Sequence, residues 1–121
     1  MPALDLVYNP VSGSFSYKRL ADLAEALEDR GFAVKLMPTS EQGAQLSGTA
    51  DLICVHGGDG TLRDCVQALG DNAGAIPICV APSGTINLVA RELGYARKPS
   101  RFADNLRKAW DRGPESWVHS P

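Results

Sequence analysis

The chain has 121 residues, of which 44% are hydrophobic and 21% charged, and its formal net charge is −2. These values are ordinary for a globular protein, and the length favours one domain. No apolar run of about 18 residues occurs, and the N-terminus lacks a basic segment followed by an apolar stretch. The sequence therefore predicts neither a membrane-spanning helix nor a signal peptide.

Charge and cysteine content bound the partners and the compartment. Residues 1–90 carry 5 basic and 10 acidic side chains, a net of −5, and residues 91–121 carry 7 basic and 4 acidic ones, a net of +3. A solvated helix face is the favoured explanation of the basic part, and attraction to an anionic membrane or a nucleotide is the alternative. Cys54, Cys65 and Cys79 lie in apolar segments without a C-x-x-C spacing, which favours reduced, buried thiols in a cytoplasmic protein.

The chain begins with a predicted strand, a loop and a helix. Leu4–Tyr8 is the strand, and Asn9-Pro10 ends it because proline restricts its predecessor and has no N–H to donate. Residues 11–14 form a polar glycine loop that leads into the helix. The helix has one apolar face and one acidic face. Its apolar stripe is Leu20, Leu23, Ala24 and Leu27, with Ser14 or Ser16 as N-cap and Gly31 as the stop.

A second strand is predicted over Phe32–Met37, closed by Pro38. Thr39 follows it, on the edge where ligands bind in open α/β sheets. An N-cap role for Thr39, at the start of a short helix through Glu41 to Leu46, is at least as consistent with the sequence. Both interpretations of Thr39 stay open at this point.

The central feature is a strand, a glycine turn and a helix over residues 51–70. Leu52–Val55 predicts a buried strand, and Gly57-Gly-Asp-Gly60 cannot continue it. Apolar residues then return with helical spacing, which leaves bare backbone N–H groups at a helix N-terminus, where an anion such as phosphate is favoured. A tight turn whose glycines serve geometry alone is equally consistent with this spacing. The apolar positions are Leu62, Cys65, Val66 and Leu69, and Gly70 is the stop.

Asp59 adds a constraint, because a carboxylate repels a phosphate. A divalent cation between the two, or a proton-handling role for Asp59, would resolve the conflict. The turn is neither a Walker A loop, since G-x-x-x-x-G-K-[ST] is absent, nor a dinucleotide fingerprint, since the third glycine is missing. His56, just before the turn, could contact a ligand, but a hydrogen-bonded histidine at a strand end is the favoured interpretation.

The remaining sequence repeats the alternation of strand and helix. Ile76–Val80 predicts a strand, Pro82-Ser-Gly84 a turn, and Thr85 the cap of a helix that ends at Gly94. A last helix begins at Lys98-Pro-Ser100 and ends at Gly113, and residues 115–119 could start a further strand. The alternation predicts a three-layer α/β fold, a parallel sheet with helices on both faces, whose loops form a nucleotide cleft along one edge.

Three segments carry a resemblance to a known family. Gly57-Gly-Asp-Gly-Thr61 resembles the GGDGT motif shared by diacylglycerol kinases, sphingosine-type kinases and NAD kinases. Asn9-Pro-Val-Ser-Gly13 and Pro82-Ser-Gly-Thr-Ile-Asn87 resemble the N-P-x-S-G and P-x-G-T-x-N segments of the lipid-kinase branch. Residues 1–121 thus resemble the N-terminal, nucleotide-binding domain of the diacylglycerol kinase family.

The resemblance implies an enzyme that transfers the γ-phosphate of ATP to a lipid hydroxyl with the help of Mg²⁺. Asp59 is the implied catalytic residue and the implied Mg²⁺ ligand. Thr39 is favoured as a nucleotide residue because the family places a threonine in this position. The implied nucleotide-binding residues, with Asp59, are Asn9, Pro10, Val11, Ser12, Gly13, Thr39, Gly57, Gly58, Gly60, Thr61, Leu62, Arg63 and Thr85.

Two departures from the family pattern affect these expectations. Arg63-Asp64 stands where lipid kinases commonly have Asn-Glu, so Arg63 either contacts phosphate or projects into solvent. The family's second, β-rich domain, which helps to build the acceptor site, has no counterpart in the sequence. We therefore expect phosphoryl transfer by these residues alone to be incomplete.

The alternatives are a non-catalytic ATP- or ADP-binding or assembly module, and an enzyme similar to NAD kinases. The expected partners are a nucleotide, a diacylglycerol-like lipid and, peripherally, a membrane surface, with no nucleic acid. Trp110 is expected in the core or at an interface, and Trp117, if exposed, would favour self-association into a homo-oligomer.

Overall fold

The computed structural model describes residues 1–13, 15–70, 76–81 and 99–113. Within these ranges the chain forms five strands and three helices. They are β1 (Ala3–Tyr8), α1 (Tyr17–Asp29), β2 (Ala33–Ser40), β3 (Gly43–Ala44), β4 (Leu52–His56), α2 (Asp59–Leu69), β5 (Ile78–Ala81) and α3 (Pro99–Arg112).

The strands form one sheet in the order β3-β2-β1-β4-β5. β2, β1, β4 and β5 are parallel, and β3 pairs antiparallel with the end of β2. Tyr8 lies opposite both Pro38 and His56, and His56 lies opposite Ala81. The carboxyl ends of the parallel strands are therefore level, and the loops that follow them start from one edge.

Helices cover both faces of the sheet. Leu4, Leu6 and Tyr8 of β1 pack in one apolar cluster with residues of α1 and α3, and Val7 packs in a second cluster with residues of α2. This alternation follows from the pleat of a strand, which points successive side chains to opposite faces. The predicted three-layer α/β fold is confirmed.

Several predicted boundaries are confirmed. Ser16 is the N-cap of α1, and its Oγ accepts a hydrogen bond from the backbone N–H of Arg19 at 3.4 Å. Gly31 follows α1 with φ +86°.

All three cysteines are buried free thiols, and burial raises the pKa of Cys65 to about 12. Trp110 packs against the core formed with α1 and α3.

The end of β2 differs from the prediction. The strand passes through Pro38 to Ser40, and a hairpin to β3 replaces the short helix predicted through Glu41 to Leu46. Proline is tolerated on an edge strand, and β3 pairs only with Thr39 and Ser40, so no strand of the described part lies outside Pro38. Gly43 has φ +96°, outside the helical region. Thr39 is thus a strand residue, and the N-cap interpretation is wrong.

The buried face of α2 also differs. The sequence predicted an apolar stripe at Leu62, Cys65, Val66 and Leu69. The structure buries Thr61, Cys65 and Leu69, whereas Val66 is exposed. The buried positions are spaced by four residues, so a threonine occupies the first core position, which apolar counting overlooks.

Some predictions lie beyond the residues that the structure describes. They include the turn over 82–84, the cap at Thr85, the strand over 115–119 and Trp117. The predicted strand over Ile76–Val80 is observed as β5, shifted by one or two residues, and Pro77 precedes it. The last helix starts at Pro99 and stops before Gly113, as predicted. Among the described residues, no helix is long and apolar enough to cross a membrane.

A buried carboxylate connects the β3–β4 segment to the sheet. Asp5 is 2% exposed, and its Oδ2 accepts hydrogen bonds from the backbone N–H of Ser47 at 2.9 Å and from the Ser47 hydroxyl at 3.0 Å. Asp51, an exposed residue just before β4, makes a comparable bond, its Oδ2 accepting from the N–H of Ala3 at 2.8 Å.

Asp5→Ala should lower the free energy of unfolding by about 1–3 kcal/mol, because it leaves two half-buried Ser47 donors without their buried acceptor. Urea denaturation measures the change. Asp51→Ala is the matched control and should cost less than about 1 kcal/mol, since water can replace an exposed acceptor. Equal losses in the two variants would show that burial does not decide the contribution of Asp5.

Candidate functional site

The chain order creates a crevice between β1 and β4. From β1 the chain crosses to β2 on one side, and β4 then pairs with β1 on the other side. In open α/β sheets ligands bind outside the carboxyl ends of the strands at such a reversal. The loop after β1 and the glycine turn after β4 both start there.

The loop after β1 is shaped by Asn9. The Asn9 Oδ1 accepts a hydrogen bond from the N–H of Val11 at 3.1 Å, and its carbonyl accepts one from the N–H of Ser12 at 3.2 Å. The Ser12 carbonyl then accepts from the N–H of Phe15 at 3.1 Å. These turns hold the backbone of residues 9–13 against the crevice, with Val11 exposed at the tip.

The glycine turn leaves the start of α2 open. Gly58 is the N-cap and has no side chain to bond the first N–H groups, and the first backbone bond of the helix runs from the N–H of Leu62 to the Gly58 carbonyl at 3.2 Å. The N–H groups of Asp59, Gly60 and Thr61 have no acceptor within the helix. A Cβ at Gly58 or Gly60 would meet no atom within 4 Å. This arrangement suits an anion.

Position 57 requires glycine because its backbone lies close to the Thr61 side chain, and not because of a ligand. A Cβ at Gly57 would lie 2.8 Å from the Thr61 Oγ1 and 3.2 Å from its Cβ. Thr61 is buried, so its side chain packs beneath the turn. The Thr61 hydroxyl lies against Gly57, whereas the Thr61 N–H belongs to the open first turn of α2.

The other predicted site residues lie on different elements around the glycine turn. Thr39 is buried at the end of β2, one residue beyond the Tyr8–Pro38 pair. Leu62 is half-buried and packs in the α2-facing core, so its side chain serves packing. Arg63 is exposed one turn after Asp59, on the same side of α2. Thr85 lies outside the described residues.

Comparison with known proteins decides the family. Residues 3–113 match the model of the diacylglycerol kinase catalytic domain. The chain belongs to this family.

Individual relatives agree. A diacylglycerol kinase from Staphylococcus haemolyticus is 31% identical over 96 residues, which cover 73% of this chain and 29% of the relative. One from Bacillus subtilis is 32% identical over 101 residues, which cover 77% and 33%. The crystal structure of a diacylglycerol kinase from Bacillus anthracis superposes with a TM-score of 0.68 at 28% identity, over 88% of this chain and 40% of that one. The chain spans about a third of the length of these curated relatives.

In this diacylglycerol kinase domain an aromatic cluster connects the two loops of the crevice. The Phe15 ring stacks on Tyr8 at 5.4 Å between centroids and meets Tyr17 edge-on at 4.7 Å and His56 edge-on at 6.4 Å. Phe15 ends the loop after β1, and His56 directly precedes the glycine turn. Sequence reasoning missed this cluster, although aromatic residues at both ends of one loop were a usable signal.

His56 is an unusual member of the cluster. It is 3% exposed, and in the described part of the structure its Nδ1 has no hydrogen-bond partner. Burial lowers its pKa below 6.5, and the positive charge of Arg19 lowers it further. The imidazole is therefore neutral at pH 7. The expected strand-end position is correct, but the expectation of a hydrogen-bonded ring is wrong at Nδ1.

Gly57→Ala should lower the free energy of unfolding by about 1–3 kcal/mol, since the new Cβ overlaps the buried Thr61 side chain. Gly60→Ala, in the same helix with open space around it, should instead raise that free energy by about 0.5–1 kcal/mol. Urea denaturation of both variants tests the contrast. A neutral Gly57→Ala would show that Thr61 can move away at no cost.

The buried imidazole should make stability depend on pH. The folded-state pKa of His56 lies below the unfolded value of about 6.5, so the unfolded chain binds more protons between the two values. The neutral His56 imidazole contributes fully to the free energy of unfolding above about pH 6.5. This contribution is lost as the pH falls through the folded-state pKa of His56. His56→Phe should therefore lose less free energy of unfolding than the parent between about pH 7 and pH 5. Parallel curves for the two proteins would contradict a buried neutral imidazole.

Proposed function

We propose that this domain binds ATP in the crevice between β1 and β4 and forms the nucleotide-binding part of an enzyme that phosphorylates a lipid hydroxyl. The open first turn of α2 is the observation that carries the proposal. The N–H groups of Asp59, Gly60 and Thr61 point out of the helix where its dipole favours negative charge. A Cβ at Gly58 would meet no atom of the described residues within 4 Å.

The phosphates of ATP would lie against this turn, and the loop over residues 9–13 would contact the nucleotide from the other side of the crevice. The turns of that loop engage the Asn9 amide oxygen and carbonyl, so its backbone is already ordered for binding. Thr39 would border the site from the end of β2. Arg63, exposed one turn into α2, would be within reach of phosphate charge. Thr85 is included in the proposed site only because it lies in the motif Pro82-Ser-Gly-Thr-Ile-Asn87.

Asp59 is the side chain that would hold Mg²⁺. It is exposed in the first turn of α2, and the described residues contain no group of three or more acidic, histidine or cysteine side chains that could hold a metal. One carboxylate fits Mg²⁺, which keeps several waters and takes few protein ligands. The ion would neutralise phosphate charge beside Asp59. Holding the phosphates in line and offsetting their charge is the main requirement of phosphoryl transfer.

The chain spans about a third of the length of its curated relatives. We assign only nucleotide binding to residues 1–121. A domain that binds ATP or ADP without turnover is the second candidate. The family match over residues 3–113 favours the lipid branch over an enzyme similar to NAD kinases. Three reduced, buried thiols are consistent with a cytoplasmic location.

Calorimetric titration with ATP, with and without Mg²⁺, tests the proposal. The parent should bind saturably and more tightly with Mg²⁺. Asp59→Ala should weaken Mg²⁺-ATP binding about tenfold or more, equivalent to about 1.4 kcal/mol, with little change in stability because Asp59 is exposed. Asp22→Ala, which removes an exposed carboxylate of α1, is the control and should bind as the parent does. Absence of saturable binding by the parent, or equal affinities of Asp59→Ala and parent, would contradict the proposed site.

A further inference from the structure

His56 lies where the two loops of the crevice meet. It is the last residue of β4, directly before the glycine turn, and it pairs with Tyr8 of β1 and with Ala81 of β5. Phe15, which ends the loop after β1, meets the His56 ring edge-on at 6.4 Å between centroids. A change in the state of His56 would therefore act on both loops.

The surroundings of His56 suit a neutral ring and not a charged one. The side chain is buried, and its Nδ1 has no hydrogen-bond partner among the described residues. An imidazolium carries an N–H on both ring nitrogens, so protonation would leave a buried, charged donor unpaired. The charge would also lose most of its hydration. The protonated ring would therefore be more stable in contact with water.

The charges around His56 do not compensate for protonation. Burial lowers the pKa of His56 below 6.5, and the positive charge of Arg19 in α1 lowers it further. Asp59, at the start of α2, is exposed, so water screens its carboxylate from the buried ring. Tyrosine hydroxyls and cysteine thiols are ordinarily uncharged below pH 7. The side chains of these two kinds on the elements around His56 are Tyr8, Tyr17, Cys54 and Cys79.

The loop after β1 is the part of these surroundings that can move most easily. The strands on either side of His56 are held by the hydrogen bonds of the sheet, whereas Phe15 is half-buried in a loop. The N–H of Phe15 donates to the Ser12 carbonyl at 3.1 Å, so a displaced Phe15 would carry the loop with it. Its displacement would also let water reach the His56 ring.

We propose that His56 is a positioning residue: its neutral ring, packed against Phe15, holds the loop after β1 beside the glycine turn, and protonation of the ring releases that loop. The consequence for ATP rests on the proposed function, since a released loop would no longer contact the nucleotide across the crevice. ATP affinity should fall as the pH falls through the folded-state pKa of His56. By linkage, bound ATP should lower that pKa further, because ATP binds the form with the neutral ring.

NMR of the 121-residue chain without ATP tests the coupling between His56 and the loop. The chain has two histidines, and either His56→Phe or His119→Gln shows which imidazole signal belongs to His56. This signal should titrate between pH 7.5 and pH 5, and the amide signals of Val11 and Ser12 should move with the same midpoint. The amide of Lys35, in the middle of β2, is the internal control and should not move.

Three results of the NMR titration would overturn the proposal. The His56 imidazole could stay neutral down to pH 5, the loop amides could fail to follow its titration, or the Lys35 amide could move with them, which would indicate a change of the whole fold. These measurements use the parent chain, so they do not depend on whether His56→Phe folds.

Titration with Mg²⁺-ATP at pH 7.5 and at pH 5 tests the consequence for binding. The parent should lose about fivefold more affinity over this interval than His56→Phe, which is the size of a modest coupling between two sites. The comparison of the two proteins is needed because phosphate groups also take up protons in this range. Phe15→Leu should reduce the pH dependence of the parent, since it removes the ring that connects His56 to the loop. Tighter binding by the parent at pH 5 than His56→Phe shows would overturn the proposal, because the imidazolium would then attract phosphate.

The two measurements separate this inference from the proposed function. Loop amides that follow the His56 titration, in a chain that does not bind ATP at pH 7.5, support the positioning role and contradict the nucleotide site. ATP binding with the same pH dependence in the parent and in His56→Phe overturns the positioning role and leaves the nucleotide site intact.

Discussion

The parallel pairing of β1 with β4 is the constraint on which the rest of the site depends. Their register puts Tyr8 beside His56, so the two loops that follow begin level with each other and on either side of one crevice. Neither loop could form a site alone, because each supplies only a few backbone groups. Burial on both faces maintains this register, since a slip of one residue would exchange the residues facing α1 and α3 with those facing α2.

Two close packings then shape the loops. Gly57 approaches Thr61 so closely that a Cβ would overlap its side chain, which fixes where α2 starts relative to β4. Phe15 lies between Tyr8 and His56, which connects the end of the first loop to the start of the second. Both contacts involve side chains beneath the crevice rather than in it. The open N–H groups of α2 are therefore held in place by buried packing, which is the preorganisation that anion binding needs.

The charges at the ends of α1 and α2 are distributed unevenly between the two edges of the sheet. The edge of the sheet that carries the crevice also carries the open N-terminus of α2 and the basic first turn of α1, whereas the last turn of α1 is acidic. An anion would therefore be attracted to this edge of the sheet.

The sequence by itself determined the strands and helices with strong periodicity, their mainly parallel arrangement and the glycine turn. Those features rest on local spacing and on residues such as Gly57 and Ser16, whose conformational roles are local. Tertiary structure decided that Pro38 lies inside β2 and that Thr61 rather than Val66 is buried. It also decided that His56 lies against Phe15, where its Nδ1 has no partner among the described residues. These outcomes depend on which strand is at an edge and which helix face meets the sheet. Long-range contacts set both, and the spacing of residues along the chain does not encode them.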